Sequence, residues 1–158
     1  VGGGPQSALV DEQNATQKPK MMILEWLDPP FDSGHWTYEM MEYACVIPAI
    51  VGGSNDNNSN NNNKPKNKKD THKAMEITWD DVRANDPDVI VVGCCGFDLQ
   101  RNIQDTKSLA VPQLVSSMNG RSSNHRRRLY ASNGDLYIAQ PSPSLLQGVV
   151  LLAQCAYH

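Results

Sequence analysis

An aspartate and a histidine are the first side chains in this sequence whose types and spacing could do chemistry. Asp28 and His35 lie in the stretch ILEWLDPPFDSGHW, residues 23–36, and could form a general acid–base pair or half of a metal site. Cys95, which follows Cys94 at the end of an apolar run, could be a nucleophile because helix dipoles lower thiol pKa values. A histidine at a helix start is more often a capping or ligand-lining group, and a cysteine at the end of a strand is more often buried or cleft-lining. Catalysis is therefore the less favoured interpretation of both.

Aromatic rings are unusually dense in the same stretch and recur in two later turns. Rings with wide apolar faces suit a large flat ligand, which also needs a few hydrogen bonds at its rim. The candidate stacking residues are Trp26, Phe31, Trp36, Phe97 and Tyr137. The candidate rim residues are Asp28, Asn133 and Asp135. For Trp36 and Tyr137, simple packing between turns and sheet is an equally good explanation.

Bulk composition limits the classes of protein to which the chain can belong. Its 158 residues, 39% of them hydrophobic and 20% charged, are enough for one domain with a core. The net charge of −3 argues against nucleic-acid binding, and no apolar run approaches the ~20 residues of a membrane helix. The four cysteines include no CxxC pair, so neither a disulfide framework nor a zinc site is predicted. The first residues lack the apolar segment of a signal peptide.

Two segments are too polar to contribute to a core. Residues 1–20 are rich in Gly, Gln and Asn and are predicted to be a disordered tail or linker. Residues 52–73 combine an Asn tract with lysines and are predicted to be a disordered insertion. Because no aromatic residue is interleaved with these lysines, a solvated loop is favoured over nucleic-acid contact. The folded unit is therefore predicted to be residues 21–158, interrupted by this insertion.

Short apolar runs alternate with helical patterns along that unit. Strands are predicted over residues 21–24, 46–51, 89–92 and 129–131, the second at an edge because it contains Pro48. Helices are predicted over residues 36–44, 78–86, 98–108 and 142–158. Their predicted caps are Asp32 or Ser33, then Thr78 with Asp81 as its back-bonding partner, then Asp98, and then Ser142 followed by Pro143. The last helix is predicted to bury one apolar face made of Leu145, Leu146, Val149, Val150, Ala153 and Ala156.

The alternation of strands and helices predicts an α/β fold, a single three-layer lobe with a mostly parallel sheet. The run of four β-branched residues at 89–92 has no polar alternation, which predicts a central strand buried on both faces. In such sheets ligands bind outside the carboxyl ends of the strands. Three turns occupy that edge: WLDPPFDSGHW, GCCGFDL and SNGDLYIAQPSPS. Each contains Gly or Pro together with an aromatic residue.

Three strings carry a resemblance to a known family: ILEWLDPPFDSGHWTYEMMEYA, ITWDDVRANDPDVIVVGCCGFDL and LYASNGDLYIAQPSPSLLQGVVLLAQ. They resemble the carboxyl-terminal lobe of the helical-backbone (class III) periplasmic binding proteins for cobalamin and iron-siderophores, and are most similar to the cobalamin branch. The resemblance covers about residues 21–51 and 76–158. It implies a non-catalytic solute-binding lobe that serves an ABC importer, with a corrinoid or related metal chelate as ligand and no catalytic cofactor.

The resemblance also implies which residues line the ligand cleft. The first turn supplies Trp26, Asp28, Pro29, Pro30, Phe31, Gly34, His35 and Trp36, with Phe31 where cobalamin binders place an aromatic ring. The second turn supplies Cys95, Gly96 and Phe97. The third supplies Asn133, Gly134, Asp135 and Tyr137, where the family places a carboxylate near the corrin amides.

The chain departs from the family pattern in three respects. The third turn runs Gln140-Pro141-Ser142-Pro143-Ser144, where the family usually has Arg-Pro-Gly-Pro-Arg. The amino-terminal lobe and the long connecting helix have no counterpart here, so an N-terminal lobe and an ABC permease are implied partners. The family is periplasmic, whereas the Asn-rich insertion is typical of a eukaryotic protein, which leaves the compartment open. The alternatives are thus a eukaryotic interaction module that has lost the transport ligand and, more weakly, a thiol or hydrolytic enzyme built around Cys95.

Overall fold

The structure is a computed structural model, and it describes residues 18–49, 73–117 and 127–158. Six strands and six helices lie in these ranges. In chain order they are β1 (Lys20–Leu27), β2 (Pro30–Asp32), α1 (Thr37–Tyr43), β3 (Ile47–Pro48), β4 (Met75–Glu76), α2 (Trp79–Asn85), β5 (Val89–Val92), α3 (Leu99–Ser108), α4 (Val111–Ser117), β6 (Arg128–Ala131), α5 (Gly134–Tyr137) and α6 (Ser144–Tyr157).

The strands form one mixed sheet in the order β4-β2-β1-β5-β6, with β3 also paired to β1. Strands β3, β1, β5 and β6 are parallel, whereas β2 pairs antiparallel with β1 and β4 pairs antiparallel with β2. All four residues of β5 are buried between β1 and β6, which confirms the predicted central strand. The fold class predicted from the sequence, α/β with a mostly parallel sheet, is therefore confirmed.

Two apolar clusters, one on each face of the sheet, produce the three layers. Alternate residues of β1 point to opposite faces, so Met21 and Ile23 join one cluster and Met22 and Leu24 the other. The first cluster packs under α1 and α6, and the second contains residues of α2 and α4. The chain therefore buries both faces of its central parallel strands, β1 and β5, as such sheets require.

Two predicted helix caps are confirmed and two are wrong. Thr78 and Asp81 form a reciprocal capping box at α2, and the Asp98 side chain accepts a hydrogen bond from the Arg101 backbone at α3. Helix α1 instead begins after Trp36, because Asp32 is the last residue of β2 and the Ser33 N–H bonds to the Ile23 carbonyl. Helix α6 begins after Pro143, one residue later than the predicted cap at Ser142.

The buried face of α6 also differs from the prediction. Its buried residues are Gly148, Leu152, Cys155 and Ala156, whereas Leu146 and Val150 are exposed. Gly148 explains the rotation, since a Cβ at this position would lie 2.3 Å from the Tyr137 carbonyl oxygen. The helix therefore turns this glycine toward α5 and the sheet.

The predicted tail and insertion lie mostly outside the described residues. Residues 1–17 and 52–72 are not described, and the predicted disorder of these segments stays a prediction. Lys20, predicted to belong to the tail, is instead the first residue of β1, where its N–H donates to the Asp88 carboxylate at 2.7 Å. In the described ranges, no helix is long and apolar enough to cross a membrane.

Candidate functional site

The first turn of the candidate site is a β-hairpin. Strand β1 continues to Leu27, turns through a cis Asp28–Pro29 peptide, and returns as β2. Trp26 and Phe31 are register partners across the hairpin, and the Trp26 indole N–H donates to the Asp28 carbonyl at 3.2 Å. The hairpin thus places two of the predicted stacking residues side by side at the end of β1.

The second turn, after β5, adds a ring and a cation to this hairpin. The Phe97 ring centroid lies 5.2 Å from that of Trp26, with the planes tilted by 43°. The Arg101 guanidinium carbon lies 4.6 Å from the Phe97 centroid, and Arg101 Nε also donates to Asp105 Oδ2 at 2.8 Å. We call Trp26, Phe97 and Arg101 the aromatic stack. Its two ring contacts have the geometry of favourable ring–ring and cation–ring interactions.

The third turn, after β6, is held against the second by short backbone contacts. Asn133 caps α5 by accepting from the Leu136 N–H at 2.9 Å, and the Asp135 N–H donates to the Phe97 carbonyl at 3.2 Å. Gln140 Nε2 donates to Asp135 Oδ1 at 2.7 Å. The third turn therefore presents a carboxylate beside the aromatic stack.

The fully buried side-chain amide of Asn102 connects the second and third turns. Asn102 Oδ1 accepts from the Cys94 N–H at 3.2 Å, and Asn102 Nδ2 donates to the Ser132 carbonyl at 2.8 Å and to the Phe97 carbonyl at 3.4 Å. The side chain is 0% exposed. Sequence reasoning missed this residue because α3 is mostly polar and its pattern does not show which amide faces inward. Asn102 therefore connects the second turn to the third through its side-chain hydrogen bonds.

An open hollow of about 550 Å³ lies where these two turns meet. Its lining residues are Gly96, Phe97, Asp98, Arg101, Asn133, Asp135 and Leu136. Four of them, Gly96, Phe97, Asn133 and Asp135, were predicted from the sequence as ligand-lining. Asp98, Arg101 and Leu136 were not, since Asp98 was assigned only a capping role and Arg101 was assigned to the polar helix. The hollow thus has apolar side chains, from Phe97 and Leu136, beside two carboxylates, one amide and one guanidinium.

The remaining predicted site residues do not line the hollow. The Trp36 indole N–H donates to the Ile138 carbonyl at 2.7 Å, and Trp36 and Tyr137 both pack against the core cluster under α6. The buried Gly34 carbonyl accepts from Thr37 Oγ1 at 2.6 Å, and Pro30 is buried in β2. These contacts favour the packing interpretation that the sequence left open for Trp36 and Tyr137.

His35 is exposed, and its electrostatic influence falls on Glu25, a residue that the sequence did not single out. It has a positive φ of 58°, and its ring centroid lies 5.7 Å from that of Trp36. Burial raises the pKa of half-buried Glu25, and the charge of Asp32 raises it further, while nearby His35 and the Gly34 N–H act in the opposite direction. Glu25 is a second residue that sequence reasoning missed, although it begins the EWLDPPF string.

The two cysteines of the second turn occupy different environments. Cys94 is buried, and burial, aided by the charge of Asp105, raises the pKa of its thiol to about 12. Cys95 is exposed, with its N–H 3.2 Å from the Glu25 carbonyl. Among the described residues, no group of three or more His, Cys, Asp or Glu side chains could hold a metal ion.

Thiol labelling should separate the cysteines. With iodoacetamide at pH 8, we expect the native protein to be modified at exposed Cys45 and Cys95 and spared at buried Cys94 and Cys155. A thiol of pKa 12 is only about one ten-thousandth ionised at that pH, and only the thiolate reacts. Peptide mass spectrometry reads the sites, with urea-denatured protein as the control in which all four react. Rapid native labelling of Cys94 would show that the second turn opens readily.

Comparison with solved structures identifies the architecture. An ABC transporter substrate-binding protein from Listeria monocytogenes EGD-e matches 90% of this chain at 12% identity, with a TM-score of 0.59. A periplasmic heme-binding protein from Roseiflexus sp. RS-1 matches 92% at 16% identity and 0.56, and the periplasmic vitamin B12 binding protein of Vibrio cholerae matches 91% at 14% identity and 0.56. The fold is that of one lobe of a periplasmic solute-binding protein. The identities are low, so the likeness establishes the fold of this lobe and nothing finer.

The lobe spans about half the length of the solved chains it resembles, 49% of the Listeria protein, 48% of the heme-binding protein and 46% of the vitamin B12 binding protein. The sequence matches no protein-family model and no curated protein sequence. The function is therefore inferred from the hollow and the side chains around it.

Proposed function

We propose that this lobe binds a planar metal chelate with an amide-bearing rim, of the corrinoid class to which cobalamin belongs, and that it catalyses no reaction. The observation that carries the proposal is the aromatic stack at the edge of the hollow. A flat apolar face can lie against rings such as Trp26 and Phe97, and ring contacts of this kind stabilise a complex beyond simple area burial. The heme-binding and vitamin B12 binding proteins named above share the fold and bind planar chelates.

The charges around the hollow favour an amide rim over a carboxylate rim. Asp98 and Asp135 present carboxylate oxygens, which accept hydrogen bonds from amide N–H groups. Arg101 is the lining cation, and it is already engaged by Asp105 and by the Phe97 ring. A heme carries two propionates that would approach these carboxylates, so like-charge repulsion opposes its binding. A corrinoid carries neutral amides instead.

A single lobe covers only one side of a planar ligand. A second lobe, not contained in this chain, would supply the opposite wall, and an ABC permease would be the transport partner. Each 1.4 kcal/mol of contact that is lost weakens binding about tenfold, so we expect the lobe alone to bind with a Kd in the micromolar range or above.

Replacing Phe97 with Ala should weaken corrinoid binding by about tenfold, because the ligand loses a ring contact and Trp26 loses its support. Equilibrium dialysis against hydroxocobalamin measures the effect, and quenching of tryptophan fluorescence gives an independent reading. The matched control is Tyr43→Ala, which removes an exposed ring from α1, outside the residues that line the hollow.

The same titration with heme tests the rim argument. We expect hydroxocobalamin to bind more tightly than heme to the unmodified lobe. Asp135→Asn removes one carboxylate that repels the heme propionates, so it should reduce the difference in affinity between the two ligands. If hydroxocobalamin shows no saturable binding up to roughly 1 mM, which corresponds to about 4 kcal/mol, the corrinoid proposal is wrong.

A eukaryotic interaction module that keeps the fold and has lost the ligand is the second candidate. It is favoured by the third turn, where Gln140 occupies the position of a family arginine and donates to Asp135, so that one rim carboxylate oxygen already has a partner. This candidate predicts that corrinoids, heme and iron-siderophores all fail to bind, while surfaces outside the hollow mediate protein contact.

A further inference from the structure

Carboxylates outnumber cations among the residues that line the hollow. Asp98 accepts from the Arg101 backbone N–H at 2.8 Å, and Asp135 accepts from the Gln140 amide at 2.7 Å. Both donors are uncharged, so neither hydrogen bond brings a positive charge to its carboxylate. The Arg101 guanidinium is paired with Asp105, with 2.8 Å between Nε and Oδ2. Because that pair is neutral overall, the two lining carboxylates leave the hollow with a net negative charge.

The thiol of Cys94 responds to the same sign of charge within the second turn. Burial is the main cause of its high pKa of about 12, and the surrounding charges contribute as well. The negative charge of Asp105 raises the pKa by more than the positive charge of Arg101 lowers it, and Glu25 raises it further. Cys94 lies two residues before Gly96, which lines the hollow. The negative potential therefore extends through the turn that forms one side of the hollow.

Cobalt(III) corrinoids of the cobalamin type differ in net charge according to the axial ligand of the metal. The corrin ring and the phosphate of the nucleotide each offset one of the three positive charges of the metal. Aquacobalamin, the form that hydroxocobalamin takes in neutral buffer, carries one positive charge because its axial ligand is water. Cyanocobalamin is neutral because its cyanide offsets that charge. Since the two share the same flat faces and the same amide rim, comparing them tests the effect of net charge.

We propose that the hollow selects cationic chelates, so that among corrinoids with the same amide rim it binds the positively charged ones in preference to the neutral ones. This inference rests on the proposed function, because it concerns the same hollow and the same class of ligand. Asp98 and Asp135 are the specificity-determining residues, and their charges act without contact to the metal. Two carboxylates at a solvent-exposed site favour a ligand with one positive charge by about fivefold when the salt concentration is low.

Equilibrium dialysis of the full chain against aquacobalamin and cyanocobalamin tests the inference at two salt concentrations. At roughly 10 mM ionic strength the screening length is about 30 Å, and we expect aquacobalamin to bind about fivefold more tightly. At about 1 M the screening length falls to about 3 Å, and the two affinities should become equal. The dependence on salt separates a charge effect from a direct contact with the axial ligand.

Three variants show whether the lining carboxylates are responsible. Asp98→Asn and Asp135→Asn each remove one lining charge and should each reduce the low-salt preference to about twofold. Asparagine caps helices as well as aspartate does, so Asp98→Asn should leave α3 intact. The matched control is Glu39→Gln, which changes the net charge of the chain by the same amount at an exposed position of α1, outside the lining residues. It should keep the full preference.

Equal affinities for the two corrinoids at low salt would overturn the inference and leave the corrinoid proposal standing. A preference for aquacobalamin that persists at about 1 M salt would also overturn it, since a side chain that replaces the axial water would then be the cause. So would an equal loss of preference in Glu39→Gln, because the net charge of the whole chain would then be responsible. If neither corrinoid binds, the inference and the proposed function are both wrong.

Discussion

Replacing Asn102 with Leu is expected to lower the free energy of unfolding by about 3 kcal/mol, because it leaves the Cys94 N–H and the Ser132 carbonyl buried without their amide partner. Leu has nearly the same volume, so the effect comes from hydrogen bonds and not from a cavity. Each stranded polar group costs about 1–3 kcal/mol, and two of them account for the total. Urea unfolding followed by circular dichroism measures the change.

Gln104→Leu is the matched control for this substitution. It exchanges an amide for the same aliphatic side chain on the same helix, but at an exposed position, where a change within about 0.5 kcal/mol is expected. If the two variants are equally stable, Asn102 does not join the second and third turns as described. Because these turns line the hollow, we also expect Asn102→Leu to weaken hydroxocobalamin binding, even under conditions where the variant remains folded.

The sequence predicted the strands and turns that position the site, because these elements depend on residues that are close together in sequence. Four adjacent β-branched residues in Val89–Val92 can be satisfied only by a strand covered on both faces. The position of a turn follows from the strand that precedes it, so the GCCGFDL and SNGDLYIA turns were correctly brought to one edge. Phe97 and Asp135, one from each turn, accordingly line the same hollow.

The details that were missed depend on long-range contacts. The turn at Asp28 and Pro29 was predicted, but the strand that follows it was not, and β2 forms there because β1 and β4 pair with it on its two sides. The direction of Asn102 depends on carbonyls contributed by two other turns. Helix α6 carries no charged residue, and its apolar residues extend over more than one face, so the apolar pattern alone predicted the wrong buried face, and the close approach of Gly148 to Tyr137 sets the rotation. Local patterns therefore predicted the elements, while contacts distant in sequence determined which side chains face inward.

Gly134→Ala is expected to cost about 3 kcal/mol of stability, since a buried methyl group would be forced into the backbone of the neighbouring turn. The added Cβ would lie 2.1 Å from the Cys94 carbonyl oxygen and 2.6 Å from the Gly93 carbonyl carbon. Neither atom belongs to a flexible side chain, so the third turn must move away from the second. That displacement separates the residues lining the hollow, and hydroxocobalamin binding should weaken along with stability.

Gly96→Ala separates this clash from ordinary backbone strain. Gly96 has a φ of 75°, but a Cβ there would meet nothing within 4 Å, so its substitution should cost only the roughly 1–2 kcal/mol of a left-handed alanine. We therefore expect Gly134→Ala to unfold at a lower urea concentration than Gly96→Ala. The opposite order would mean that the third turn adapts easily to a new position. In that case the hollow would be a deformable surface, and its shape would not favour a planar ligand.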